Sequence, residues 1–351
     1  MNESREYRVT GVRGRNMVRE WPRDRPRYVA LLIHGYGEHV GRYEYVADRL
    51  VRHGAAVYGV DHVGHGKSGG ERALIEDFED VVTDVHTVEE RAREDHPGVP
   101  VVAIGHSMGG MIAARYAQRY GAGLAALVLS APVIGRWEVV STLLSFDEIP
   151  DAPLDPSMLS RDPSVGEAAG ADPLVWTGAF RRATLEAFVT AMATIAKGGT
   201  FGDLPTLWLH GEDDKLVPPG PSREGLDAVR GSYLTERLYP GDHFGAGRLE
   251  VGAGHLGGIA ALGPRLEPVV ANTVNRSRKP PVFAALLPVR PFARAISSAR
   301  GSAGPRMGSL PAGWVMVRRL RGCSGPGFVP VWRDRPGRGT GWTRAGLRRP
   351  A

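Results

Sequence analysis

Six short runs in this chain read as strands: Tyr28–Ile33, Ala55–Val60, Val101–Ile104, Leu124–Leu129, Pro205–Leu209 and Tyr233–Tyr239, the first five apolar at nearly every position. A strand with one wet face alternates apolar and polar residues, so a run without alternation reads as a strand covered on both faces, as in a parallel sheet. Parallel neighbours need long crossovers, and the intervening stretches supply them. Within Glu76–Asp95, Phe78, Val81, Val82, Val85, Val88 and Ala92 recur three or four apart, with acids on the remaining face. That spacing predicts a surface helix packed on the sheet. Arg8–Val18, punctuated by two glycines, predicts a hairpin on the open edge. The fold class is α/β, a mostly parallel, doubly wound sheet. Residues 133–200 break the pattern, being far too long for a simple crossover, and read as an inserted cap. The cap carries Trp137, Leu143, Leu144, Phe146, Met158 and Trp176, of which Trp137, Leu143, Leu144 and Phe146 either dock on a membrane or line a ligand channel, or pack on the body.

Charge divides the chain further. From Arg276 to Ala351 there are 16 basic residues against one acid, Asp334, a net of +15; the residues before it carry 28 basic and 37 acidic groups, a net of −9. Those last 76 residues also hold 11 Gly and 10 Pro and show neither helical nor alternating periodicity, which predicts a disordered basic tail. Only four of the 44 basic residues are Lys, the mark of a G- and C-rich coding bias, and an out-of-frame reading would yield the same composition. Nucleic acid is therefore not an expected partner of the tail, although Arg clusters can neutralise phosphates. The single cysteine, Cys323, excludes an intramolecular disulfide and a thiolate metal cluster. No apolar run reaches 18 residues, and Met1-Asn2-Glu3-Ser4-Arg5-Glu6 is charged with no apolar stretch behind it, so the expected location is cytoplasmic.

Gly105-His106-Ser107-Met108-Gly109 has the Gly-x-Ser-x-Gly spacing that turns a strand sharply into a helix and lifts a serine hydroxyl clear of the sheet. The spacing also occurs at Gly66-Lys67-Ser68-Gly69-Gly70, but only Ser107 follows an expected strand, Val101–Ile104, and precedes an expected helix, Met111–Tyr120. A nucleophilic serine needs oxyanion donors, an imidazole to take its proton, and a carboxylate to orient that imidazole. His34-Gly35-Tyr36-Gly37-Glu38-His39 follows the first parallel strand, where the Tyr36 amide can join that of Met108 as an oxyanion donor. His210-Gly211-Glu212-Asp213-Asp214 follows a later strand and offers Asp214 as the acid. The order nucleophile, acid, histidine is the one α/β-hydrolases use.

On these motifs, from about Tyr7 to Gly241, the chain resembles the monoacylglycerol lipase and lysophospholipase group of serine α/β-hydrolases. Asp61-His62-Val63-Gly64-His65-Gly66-Lys67-Ser68-Gly69 resembles a loop of that group, and Asp172-Pro173-Leu174-Val175 a stretch of its cap. The resemblance implies an α/β-hydrolase fold over residues 1–241 with a cap at about 133–200, no cofactor and no metal. It further implies hydrolysis of a small lipid ester, most simply monoacylglycerol to fatty acid and glycerol, with peripheral membrane contact through the cap. Ser107 and Asp214 fall on the group's nucleophile and acid positions. The group places its histidine three residues after the Gly of a Tyr-Pro-Gly-like turn and follows it with Glu and Asn, whereas Tyr239-Pro240-Gly241-Asp242-His243-Phe244-Gly245 brings His243 one residue early and lacks both. Residues 242–275 depart from the group. His243 is the candidate base and His255 a weaker substitute; if neither serves, the alternative is a hydrolase fold that only binds. A generic short-chain carboxylesterase is the other alternative. His34, His39, His62, His65 and His106 are not expected to replace the base.

Overall fold

The computed structural model describes residues 3–152 and 155–244. The expectations for residues 245–351, including His255 and the basic tail, lie outside these. Among the described residues eight strands form one sheet in the order β1-β2-β4-β3-β5-β6-β7-β8. They are β1 (Arg5–Gly11), β2 (Gly14–Trp21), β3 (Tyr28–Ile33), β4 (Ala55–Val60), β5 (Val101–His106), β6 (Leu124–Ser130), β7 (Thr206–Gly211) and β8 (Leu234–Tyr239). β1 pairs antiparallel with β2, and β2 antiparallel with β4; every other pairing is parallel. The edge hairpin is longer than its two glycines suggested, its ladder running on to Arg5 opposite Glu20, and Asp84 holds its turn from the neighbouring helix by accepting the Val12 amide at 2.7 Å and Asn16 Nδ2 at 2.7 Å.

β3, β4, β5 and β7 are buried at every residue, as uninterrupted apolar strands must be. Their alternate side chains feed two cores, one on each face of the sheet. On one face lie α2 (Phe78–Asp95) and α3 (Met108–Tyr120); α1 (Glu44–Arg52) contributes to the other. The six apolar residues expected to face inward on α2 are all buried. Its acids are not all outward: Asp84 holds the hairpin, and buried Glu89 bonds Arg93 and accepts the Tyr116 hydroxyl. β8 also departs from its expectation. Thr235, Glu236 and Arg237 interrupt it, the strand is only partly buried, and Leu238 is 48% exposed.

The cap follows β6 and holds α4 (Glu138–Leu144), α5 (Pro163–Ala171) and α6 (Arg182–Lys197); after β7, α7 (Pro219–Val229) completes the described helices. Trp137 ties the cap to the body: its ring meets Phe188 of α6 at 5.2 Å, and its Nε1–H donates to Leu216 O, after β7, at 2.7 Å. Leu143, Leu144 and Met158 are partly buried against the same core, whereas Phe146 stays 47% exposed.

Candidate active site

Ser107 occupies the turn between β5 and α3 with φ 56° and ψ −121°, a conformation that costs a non-glycine residue on the order of 1–3 kcal/mol. The surroundings hold it there. Ser107 N–H donates to Ser130 O at 2.9 Å, and its carbonyl accepts from the amides of Gly110, Met111 and Val133. Both motif glycines are steric necessities: a Cβ on Gly105 would lie 2.1 Å from Gly109 O, and one on Gly109 would lie 2.0 Å from Ile33 O. The second serine with this spacing has a different setting. Ser68 Oγ donates to Asp61 O at 2.6 Å and accepts the Met17 amide at 2.8 Å, so it is a loop tie.

The loop after β3 comes close to the elbow, since a Cβ on Gly35 would lie 3.4 Å from that of Ser107. Buried Glu38 shapes this loop by accepting the Gly35 amide at 2.7 Å and the Tyr43 hydroxyl at 2.8 Å. The Tyr36 and Met108 amides donate to no acceptor among the described residues. Met108 also opens α3, whose N-terminal end of the helix dipole favours a developing negative charge. The cap stretch quoted above braces the same loop: Trp176 N–H donates to Gly37 O at 2.7 Å, His39 Nε2–H donates to Asp172 Oδ2 at 2.9 Å, and Phe180 stacks on Tyr36 at 4.7 Å.

Asp214 and His243 meet at the ends of β7 and β8. His243 Nδ1–H donates to Asp214 Oδ2 at 2.7 Å, and both side chains are fully buried. Asp214 Oδ1 accepts the Leu216 amide at 3.0 Å and the Val217 amide at 2.8 Å. Burial alone would raise the Asp214 pKa, but the charge of His243 and the hydrogen bonds from His210, His243 and the Val217 amide outweigh it and hold the carboxyl well below the usual range. The His243 ring lies 4.9 Å from that of His106. Among the described residues no hydrogen bond joins Ser107 Oγ to His243, a common state of catalytic pairs before substrate arrives.

The other histidines are occupied or shut in. His34 Nδ1–H donates to Gly35 O and its Nε2 accepts the His62 amide, tying the loops after β3 and β4. His62, His65 and His106 are buried, and burial holds each of them neutral. Sequence reasoning missed His210. Trp208 Nε1–H donates to its Nδ1 at 3.1 Å, which leaves Nε2 as the protonated nitrogen, shared between Val217 O at 2.7 Å and Asp214 Oδ2 at 3.2 Å. The available signal was its place at a strand end, four residues before the acid. Among the described residues no group of His, Cys, Asp and Glu is arranged to hold a metal ion.

The sheet order, with a strained serine after β5 and an acid after β7, defines a serine hydrolase of the α/β class. The chain belongs to the monoacylglycerol lipase group of that class: the family model described as serine aminopeptidase, S33, matches residues 24–244. A monoacylglycerol lipase from Mycolicibacterium smegmatis is 37% identical over 247 residues, 67% of this chain and 88% of that one. Human monoglyceride lipase is 31% identical over 234 residues, 64% of this chain and 77% of its own length. Among solved structures, the Paleococcus ferrophilus monoacylglycerol lipase superposes with a TM-score of 0.53 at 26% identity, covering 68% of this chain and 90% of that one.

Proposed function

We propose that this chain hydrolyses monoacylglycerol to fatty acid and glycerol through Ser107, His243 and Asp214. The observation that carries the reading is the buried 2.7 Å bond from His243 to Asp214, formed at the strand ends on the side of the sheet where the elbow presents Ser107. In the acylation step Ser107 Oγ attacks the ester carbonyl while its proton passes to His243 Nε2. The Tyr36 and Met108 amides receive the oxyanion, each worth about 3–4 kcal/mol by analogy with other oxyanion donors. Collapse of the tetrahedral intermediate breaks the bond to glycerol, which leaves with the proton from His243. Water then attacks the acyl-serine by the same route, giving the fatty acid and restoring Ser107. Asp214 stays ionised throughout and stabilises the imidazolium.

The apolar character of the cap supports a lipid substrate: Leu143, Leu144, Met158 and Phe180 pack against the core and stay partly exposed. Phe146 and Val189, 47% and 46% exposed on the cap, support contact with a lipid surface. Among the described residues no helix is long and apolar enough to cross a membrane. In a second reading, a hydrolase fold that binds lipid ester without turnover, Ser107 and His243 stay unbonded when the ester is present, as they are in this structure. Labelling with a fluorophosphonate, with peptide mapping, separates the two. Modification at Ser107 with glycerol release from monoacylglycerol supports the lipase; a folded protein that neither labels nor releases glycerol rejects it.

A further inference from the structure

His243 stands one residue closer to Gly241 than the group's spacing provides, yet its imidazole reaches Asp214. The residues flanking it show how. Asp242, on its N-terminal side, is buried, and its Oδ2 accepts the backbone amide of Arg161 at 2.6 Å. The Arg161 guanidinium closes the same contact, with Nε 3.4 Å from Asp242 Oδ2 and Nη2 donating to Asp213 Oδ2 at 3.1 Å. Phe244, on the other side, donates its amide to Leu159 O at 3.0 Å, and its ring packs in the core that also takes Val165 of α5. Residues 159–161 thus hold the base loop immediately before and after the histidine, and they belong to the cap. The body side of the loop is fixed by Asp213 N–H, which donates to Gly241 O at 2.8 Å.

We propose that Asp242 is a positioning residue: by binding the cap at Arg161 it sets the His243 ring for proton transfer, so that the catalytic base is assembled only when this cap segment is docked. The proposal rests on the triad reading above. A carboxylate that accepts a backbone amide and faces a guanidinium is a strong, directional anchor. A hydroxyl–imidazole pair has to be held to within about 1 Å for efficient proton transfer, and a displacement of that size can cost about 100-fold. Removing the anchor should therefore lower turnover while leaving substrate binding unchanged, since the Asp242 carboxylate is buried against Arg161.

The test is a kinetic cycle with an activated monoacyl ester, using the full chain and checking each variant for native circular dichroism. Asp242→Ala should reduce kcat 10- to 100-fold with KM within twofold of the parent. Asp242→Asn, which keeps an acceptor for the Arg161 amide, should retain at least a third of parental kcat. In a His243→Ala background Asp242→Ala should have no further effect, because groups that act as one unit are not additive. Should Asp242→Ala fail to fold, Asp242→Glu keeps the charge, displaces it by one methylene, and enters the same cycle. Parental kcat in a folded Asp242→Ala protein, or the same loss with and without His243, would overturn the proposal. Collapse of activity in His243→Ala with none in Asp242→Ala rejects this inference alone; parental activity in His243→Ala rejects the triad reading with it.

Discussion

Asp214→Asn separates the geometry of the acid from its charge, and the hydrogen bonds fix which way the amide must face. Asp214 Oδ1 accepts two backbone amides, from Leu216 and Val217, so the asparagine carbonyl has to take that position. The NH₂ then replaces Oδ2, opposite His210 and His243. His210 cannot adapt, because Trp208 already donates to its Nδ1 and leaves Nε2 as a donor. His243 must adapt instead, accepting at Nδ1 and carrying its proton on Nε2, the nitrogen that should take the proton of Ser107. A triad histidine held in the wrong tautomer loses about 10⁴ in kcat, or about 5.4 kcal/mol at 1.36 kcal/mol per decade. The expected result is a kcat about 10⁴-fold lower with KM within a few-fold of the parent, since the substrate loses no contact. Glycerol release measures turnover, and the rate of fluorophosphonate labelling at Ser107 should fall in parallel. A folded Asp214→Asn protein within tenfold of the parent would refute the assignment of Asp214 and the tautomer argument together.

Three other outcomes follow from the packing and the titrating groups. Gly109→Ala places a methyl 2.0 Å from Ile33 O, where backbone faces backbone, so it should cost well over the 1–3 kcal/mol of ordinary overpacking; a melting temperature equal to the parent's would show that the elbow can yield. Ser68→Ala leaves the Met17 amide and Asp61 carbonyl without their partner, which should cost about 1–3 kcal/mol of stability and leave turnover unchanged; lost turnover with an intact fold would make Ser68 a rival nucleophile. Finally, burial lowers the pKa of His34 to about 4 and those of His65 and His106 to about 3, against 6.5 when exposed. Below pH 6.5 the unfolded chain therefore binds more protons, and stability should decline from about pH 6.5 to pH 3–4 and be flat in these groups above 6.5. Glu38, held near pKa 2 against its burial by the charges of Arg42, His106 and His34, adds a loss in the same direction below pH 4.5. Urea midpoints measured from pH 8 to pH 4 check this, and a midpoint unchanged between pH 7 and pH 5 would contradict it.

The sheet was legible where burial was complete. β3, β4, β5 and β7 are covered on both faces, so their polar residues, Thr206, His106 and His210, fall only near the strand ends, and the runs mark the strands to within a residue or two. β8 was the least faithful of the expected strands because it is only partly buried, and Thr235, Glu236 and Arg237 need no dry environment. The acids of α2 misled for the converse reason. Periodicity assigns a polar residue to the wet face, but Asp84 and Glu89 are buried with partners that lie 68 and 27 residues away, Asn16 and Tyr116, and no local pattern reports such pairing.

The same contrast divides the site. Gly105 and Gly109 are demanded by contacts within one turn and the strand beside it, so the motif carried the position of Ser107 in its own spacing. The position of the histidine depends on something a residue count does not measure. Counting from Gly241 assumes that the loop leaves β8 along one path, so that a missing residue displaces the imidazole by about 3.5 Å. A loop has no such fixed path: its ends are set by the groups that bind them. Here the Arg161 amide takes Asp242 and the Leu159 carbonyl takes Phe244, from a segment some 80 residues earlier. Those anchors can bring a shorter loop to the same carboxylate, and on the proposal above Asp242, between Gly241 and His243, is the position where the sequence register and the geometry of the proposed base are reconciled.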